Sequence, residues 1–123
     1  MAVTPEALLD AAAEISVGGR EVDWRNAASR GYYAAYHRCI LLAYGGASAE
    51  PGHRQLIDQL TDSKASVRWR QAGHLLQQCK RLRERADYRT MDNFEQADAE
   101  TALDAGRRIF EYAESAGDTT SVA

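Results

Sequence analysis

The chain has 123 residues, a net charge of −3, 45% hydrophobic residues and only two prolines. That length suits one domain with a single core, and the composition excludes collagen-like, disulfide-scaffold and low-complexity classes. No window approaches the 18 or more uncharged apolar residues of a membrane span, and the N-terminus lacks a basic-then-apolar leader pattern; the expectation is a soluble, cytoplasmic protein with no membrane partner.

The small net charge hides an uneven distribution. Residues 1–19 carry three acids and no bases, residues 20–89 carry thirteen bases and seven acids, and residues 90–123 carry two bases and eight acids. The basic middle can attract a polyanion while the acidic ends screen it or pair with it.

In chain order, Thr4 reads as a helix N-cap with Pro5 in the first helical position. Leu8, Leu9, Ala12 and Ile15 form an apolar stripe to about Val17, ended by Gly18 and Gly19. Trp24 to Tyr44 predicts a long helix capped by Asp23 and stopped at Gly45-Gly46. Trp24, Ala28, Gly31, Ala35, Cys39 and Leu42 share one face and are mostly small, which suits close approach of a neighbouring helix. Asn26, Arg30, Tyr33, His37, Leu41 and Tyr44 share another. The helix is apolar nearly all round and so belongs at the bundle centre, where this polar stripe needs internal partners or a ligand groove.

Ala47 to Gly52 reads as a loop around Pro51, followed by a short helix from about Gly52 to Leu60 and a mobile connector from Thr61 to Ser66. Val67 to Tyr88 predicts a helix with a packing seam at Ala72, Leu75, Cys79, Leu82 and Ala86. Gly73 within it marks either a tight crossing or a later start. Thr90 to Asn93 is a turn, and Phe94 to Ala116 a last helix with Ala97, Leu103, Ile109, Phe110 and Tyr112 as core. The fold class is all-α: an antiparallel bundle of four to five helices in one domain, residues 1–117, with a flexible tail over 118–123. Cys39 and Cys79 read as free core thiols, a disulfide or reactive thiol being the alternative.

Arg30 and His37 lie seven residues apart, two turns along one helix face and about 10.5 Å apart at the backbone. Arginine clamps phosphoryl oxygens and histidine moves protons near neutral pH. Together they are a minimal kit for metal-free RNA cleavage, with the 2′-hydroxyl as nucleophile. The alternative is a hydrogen-bonded polar layer inside the bundle. Lys80 to Arg89 is a second basic run, either a solvated face with an Arg83–Asp87 pair or a strip for a nucleic-acid backbone with Tyr88 for stacking. His53 and His74 lack partners at metal spacing, so neither a metal nor a cofactor is expected. Trp24 and Trp69 read as core or interface.

Two of these segments resemble motifs of the HEPN superfamily. Asn26 to His37, NAASRGYYAAYH, is similar to its SRAYYAAFH motif, and Arg83 to Tyr88, RERADY, to the R-x-x-A-D-Y motif of its small stand-alone members. His53 sits where many such members begin a short helix with Ser-His. The resemblance covers nearly the whole chain. It implies a four- or five-helix bundle, a homodimer, and pairing with a minimal nucleotidyltransferase in a toxin–antitoxin module. Active superfamily members are metal-independent ribonucleases with an R-x4-6-H motif, a spacing that Arg30 and His37 satisfy.

The leading expectation is an RNA-directed, toxin-like protein, either a metal-independent endoribonuclease or an RNA binder. Arg30 and His37 would be catalytic, with Asn26, Tyr33, Arg83, Asp87 and Tyr88 binding substrate. A second expectation is a non-catalytic dimeric subunit that docks a nucleotidyltransferase or binds nucleotide. A third is a small-molecule or nucleotide sensor using the groove beside the central helix.

Overall fold

The three-to-four-residue recurrence of apolar side chains folds this chain into helices. The computed structural model describes residues 3–45 and 51–117, and among them shows five helices and no strand. They are α1 (Pro5–Ser16), α2 (Glu21–Ala43), α3 (His53–Thr61), α4 (Val67–Tyr88) and α5 (Gln96–Gly117). The tail expected over 118–123 and most of the loop expected over 47–52 lie outside the described residues. No helix among the described residues is long and apolar enough to cross a membrane.

The helix ends follow local hydrogen bonding. Thr4 Oγ1 accepts from Ala7 N at 3.1 Å with Pro5 behind it, and Ser66 Oγ accepts from Trp69 N at 3.3 Å to start α4. Asp23 is not the cap expected for α2. The helix begins earlier, with Arg20 at the N-cap, and Asp23 sits in the first turn, ion-paired to Arg20 at 3.0 Å. An acid there opposes the positive end of the helix. The Thr61–Ser66 connector, expected to be mobile, is a hydrogen-bonded turn: Ala65 N donates to Asp62 O at 3.0 Å and Lys64 N to Asp62 Oδ1 at 2.8 Å. The last helix starts at Gln96 rather than Phe94, whose ring is buried ahead of it.

Contacts between helices fix their directions. Ser29 meets Asp87 and Tyr33 meets Arg83, so residue numbers rise along α2 as they fall along α4. Arg38 meets Glu6 on α1, while Trp24 Nε1 donates to Gly18 O just beyond its end, making α1 antiparallel to α2. Cys79 donates to Ala102 O and Arg85 pairs with Asp98, which runs α5 against α4. α2 packs against α1, α4 and α5, and α3 lies across α4. This is the antiparallel bundle expected, with α2 as its central member.

The small face of α2 packs as its composition predicts. Ala28, Gly31, Ala35 and Cys39 are buried, and a Cβ added at Gly31 would lie 3.3 Å from a Leu103 methyl. Gly73 marks a tight crossing: a Cβ there would approach Leu60 Cβ and Thr61 Cγ2 to 2.8 Å. The core is rounded out by Tyr32, Leu56, Leu60, Trp69, Leu76 and Ile109. Burial of each large apolar side chain contributes roughly 1.5–3 kcal/mol. Ala97, expected in the core, is exposed, and Ala99 and Ala102 take that role. Cys39 and Cys79 are buried and free, and burial pushes both thiols up to about 12.

Candidate functional site

The polar stripe of α2 does not face the interior. Asn26, Arg30, His37 and Leu41 are exposed, and Tyr33 and Tyr44 half-buried. Buried Ala27, Ala34, Tyr32 and Tyr36 flank the stripe, and the helices around α2 cover only the remaining arc. Among the described residues, Asn26 and Arg30 make no side-chain hydrogen bond or ion pair. The expected buried polar layer around Arg30 and His37 is therefore replaced by an open surface. None of the described residues pins Arg30, which leaves its guanidinium available to another group. His37 leans on two phenols, its ring 6.3 Å from Tyr33 (stacked) and 5.2 Å from Tyr36 (edge-on).

Tyr33 joins this stripe to α4. Its hydroxyl accepts from Arg83 Nη2 at 2.9 Å, and the Arg83 guanidinium lies 5.3 Å from the Tyr33 ring and 5.2 Å from the Tyr88 ring. Asp87 Oδ2 sits 3.0 Å from Arg83 Nε and accepts from Ser29 Oγ at 3.0 Å. The Nε–H is not aimed at that carboxylate and has no hydrogen-bond partner, so the contact is an ion pair without a directed bond. Both sequence motifs thus meet in one place. Asp87 is spent on orienting Arg83 and tying α2 to α4. Tyr88, by contrast, is 69% exposed and presents an aromatic face to solvent.

His53, noted in the sequence only as the start of the short helix and not as a site residue, joins this cluster. It opens α3, and its Nδ1 lies 2.6 Å from the hydroxyl of buried Tyr32. Its ring stacks on Tyr36 at 4.3 Å and meets Tyr33 edge-on at 6.3 Å. Tyr36 in turn donates to Pro51 O, fixing the chain as it enters α3. A signal was present: Tyr32 and Tyr36 are one turn apart on a helix whose burial obliges their hydroxyls to find partners. Burial, followed by the charges of Arg83, Lys80 and His37, holds the His53 pKa below its ordinary value, with Glu84 opposing. Burial also raises the Tyr32 pKa well above the usual phenol range, so this hydroxyl keeps its proton.

The basic strip of α4 borders the same cluster. A groove of about 350 Å³ between α3 and α4 is lined by Arg54, His74, Lys80 and Arg81 with one acid, Asp58. A second of about 460 Å³ continues from Arg81 past Arg85 to Tyr88 and Arg89, again with one acid, Glu84. Arg83 and Asp87 pair as expected, and Arg85 pairs with Asp98 on α5. Among the described residues no group of three or more His, Cys, Asp or Glu side chains is placed to hold a metal ion.

Against this geometry, comparison with known families finds one match: a model of the HEPN domain aligns with residues 7–116. No curated protein and no solved structure matches the chain at a significant level.

Proposed function

The chain belongs to the HEPN-domain family, and on that footing we propose that the face formed by α2 and α4 is RNA-directed and toxin-like. One observation carries this reading: Arg30, Tyr33 and His37 share an outward stripe that runs into Arg83 and the basic grooves of α4. An exposed arginine without an internal partner is suited to a phosphodiester, and exposed Tyr88 to base stacking. In cleavage, the 2′-oxygen attacks the adjacent phosphorus while its proton passes to a base. The P–O5′ bond breaks with a proton delivered to the leaving oxygen. The products are a 2′,3′-cyclic phosphate and a 5′-hydroxyl, and neither water nor metal is consumed. His37 is the proton-handling group of this scheme and Arg30 the clamp on the phosphoryl oxygens.

The test is incubation of purified protein with labelled single-stranded and structured RNAs in EDTA, beside Arg30→Ala and His37→Ala. Both side chains are exposed, so both variants are expected to melt like wild type, surface changes of this kind usually staying within about 0.5 kcal/mol. Cleavage or salt-sensitive binding lost in both folded variants supports the reading. Variants that bind and cleave like wild type sink it.

A second reading is supported by Leu41, 39% exposed on the same stripe. An exposed apolar residue about three turns along α2 from Arg30 suits a protein contact, either a homodimer or a docked nucleotidyltransferase. Sedimentation of wild type against Leu41→Glu separates the two: a monomer shift without loss of RNA binding assigns the stripe to assembly.

A further inference from the structure

The RNA reading leaves His53 without a role, although it is the best-positioned imidazole in the cluster. We infer that His53 is a phosphate-facing residue, a neutral imidazole that donates its Nε2–H to a phosphoryl oxygen held beside Arg83 and Lys80. This inference rests on the RNA reading for its substrate class.

Tyr32 sets the tautomer of His53. Tyr32 is buried, its one hydrogen-bond partner among the described residues is His53 Nδ1 at 2.6 Å, and a phenol has one proton to give. When Tyr32 donates, the buried hydroxyl is satisfied and Nδ1 is the acceptor. The imidazole proton is then confined to Nε2, on the opposite side of the ring from the buried phenol. The reverse arrangement leaves a buried hydroxyl proton without a protein partner, which is the costlier choice. Tyr36 stacked at 4.3 Å, with Tyr33 at its edge, fixes the ring plane. A neutral imidazole with a fixed tautomer is a directed hydrogen-bond donor and a poor base.

The surroundings make this donor an anion site. From α2 it is faced by Tyr32, Tyr33, Tyr36 and His37, and from α4 by Lys80, Arg83 and Glu84. The cationic groups outnumber the single acid. Burial and these cations together disfavour a positive imidazole, which favours the neutral form of His53. Arg83 adds fixed charge, because Asp87 and Tyr33 hold its guanidinium in place. Tyr36 packs against both His53 and His37, which keeps the two imidazoles in one cluster. His37 is free to move protons, and His53 supplies a stationary donor to the non-bridging oxygen. By linkage, a bound phosphoryl group raises the pKa of His53, and affinity increases as pH falls.

Histidine-selective NMR tests this on the full chain, read with three probes: inorganic phosphate, adenosine 5′-monophosphate, and a short oligoribonucleotide with hydroxyl ends. The Nε2–H tautomer is expected for His53 in the free protein, and its titration midpoint is expected to rise when the oligonucleotide binds. His53→Ala should weaken that binding about tenfold or more. His53→Gln, which places an amide N–H near the Nε2 position, should recover most of it, and both variants are to be matched by thermal melting. Equal loss in His53→Gln and His53→Ala overturns the neutral-donor role, because an amide N–H replaces a neutral donor but not a cationic imidazole. A midpoint that moves with none of the probes also overturns it, even if Arg30→Ala abolishes RNA binding. Movement with the two monoesters alone keeps the phosphate role of His53 and defeats the RNA reading instead.

Discussion

Replacing Arg25 by Ala should unfasten the end of α4 and with it the site. The Arg25 guanidinium reaches across from α2: its Nη1 donates to the carbonyls of Arg85, Ala86 and Arg89 at 3.0–3.2 Å, and its Nη2 to Asp92 O. Its Nε is paired with Glu21 at 2.9 Å, and its side chain is only 11% exposed. A cation at a helix C-terminus contributes about 0.3–1 kcal/mol at the surface and up to about 2 when partly buried. Hydrogen bonds to a charged group add roughly 1.5–3 kcal/mol, discounted here because three acceptors share one nitrogen. Stacking 5.4 Å over Phe94 adds about 0.5–1 kcal/mol. The expected loss is about 3 kcal/mol, or a melting temperature lower by about 10 °C for a chain of this size. Urea unfolding followed by circular dichroism measures the first, and amide exchange at Arg85–Arg89 should accelerate more than at Leu76. Arg25→Lys should recover only about 1 kcal/mol, since an ammonium cannot fork between these carbonyls. A loss below about 1 kcal/mol, with unchanged exchange at the end of α4, would refute the assignment of this arginine as the clasp between the two helices.

Gly73→Ala should destabilise by about 1–2 kcal/mol in the same unfolding assay, because overpacking against Leu60 and Thr61 outweighs the helix-propensity gain of about 1 kcal/mol; a stabilised variant would contradict the tight α3–α4 crossing. The His53 pKa is lower folded than unfolded, so the unfolded chain binds more protons between the two values. Stability should therefore rise with pH from the folded pKa up to about 6.5 and be lost as pH falls through that window. His53→Gln should flatten that part of the curve, and an unchanged slope would show that His53 is not its source. Cys39 and Cys79, with thiols pushed up to about 12, should resist a thiol-specific reagent in the native protein and react promptly in urea; rapid native labelling would place one of them at the surface.

The helices and the packing face of α2 were legible because each is written locally. Glycine pairs, an N-cap before proline, and small residues at helical spacing have the same meaning in any bundle. The error over the polar stripe has a physical origin too. Alanine and tyrosine are tolerated on either side of a helix surface, so residue type alone made α2 look buried all round. Which arc is covered depends on how many neighbours pack there, and that is a tertiary fact. His53 was legible only in part for a related reason. Its meaning comes from Tyr32 and Tyr36, more than fifteen residues away in sequence, and from Arg83, thirty residues beyond it. Asp87 was legible as a partner of Arg83, but its second bond, to Ser29, crosses between helices and carries no sequence spacing to read.

The site divides its charged groups into held and free. Arg83 is held by Asp87 and Tyr33, and Arg25 and Arg38 are held by carbonyls and by Glu6. Holding a cation this way costs mobility and part of its field, so these three serve geometry first. Arg30 is not held within the described fold, and His37 rests only on aromatic rings. A side chain left free on the most packed helix of a bundle has no structural use there, since exposed alanine would favour the helix more. Whatever meets it is none of the described residues. The held group beside it, Arg83, then defines where that outside group must carry negative charge, and the adjoining grooves of α4 give the direction in which a longer polyanion would continue. An acidic protein partner and an RNA backbone both satisfy the first requirement. Only a chain of regularly spaced charges uses the second along its whole length, which is why the RNA reading stands ahead of the docking one.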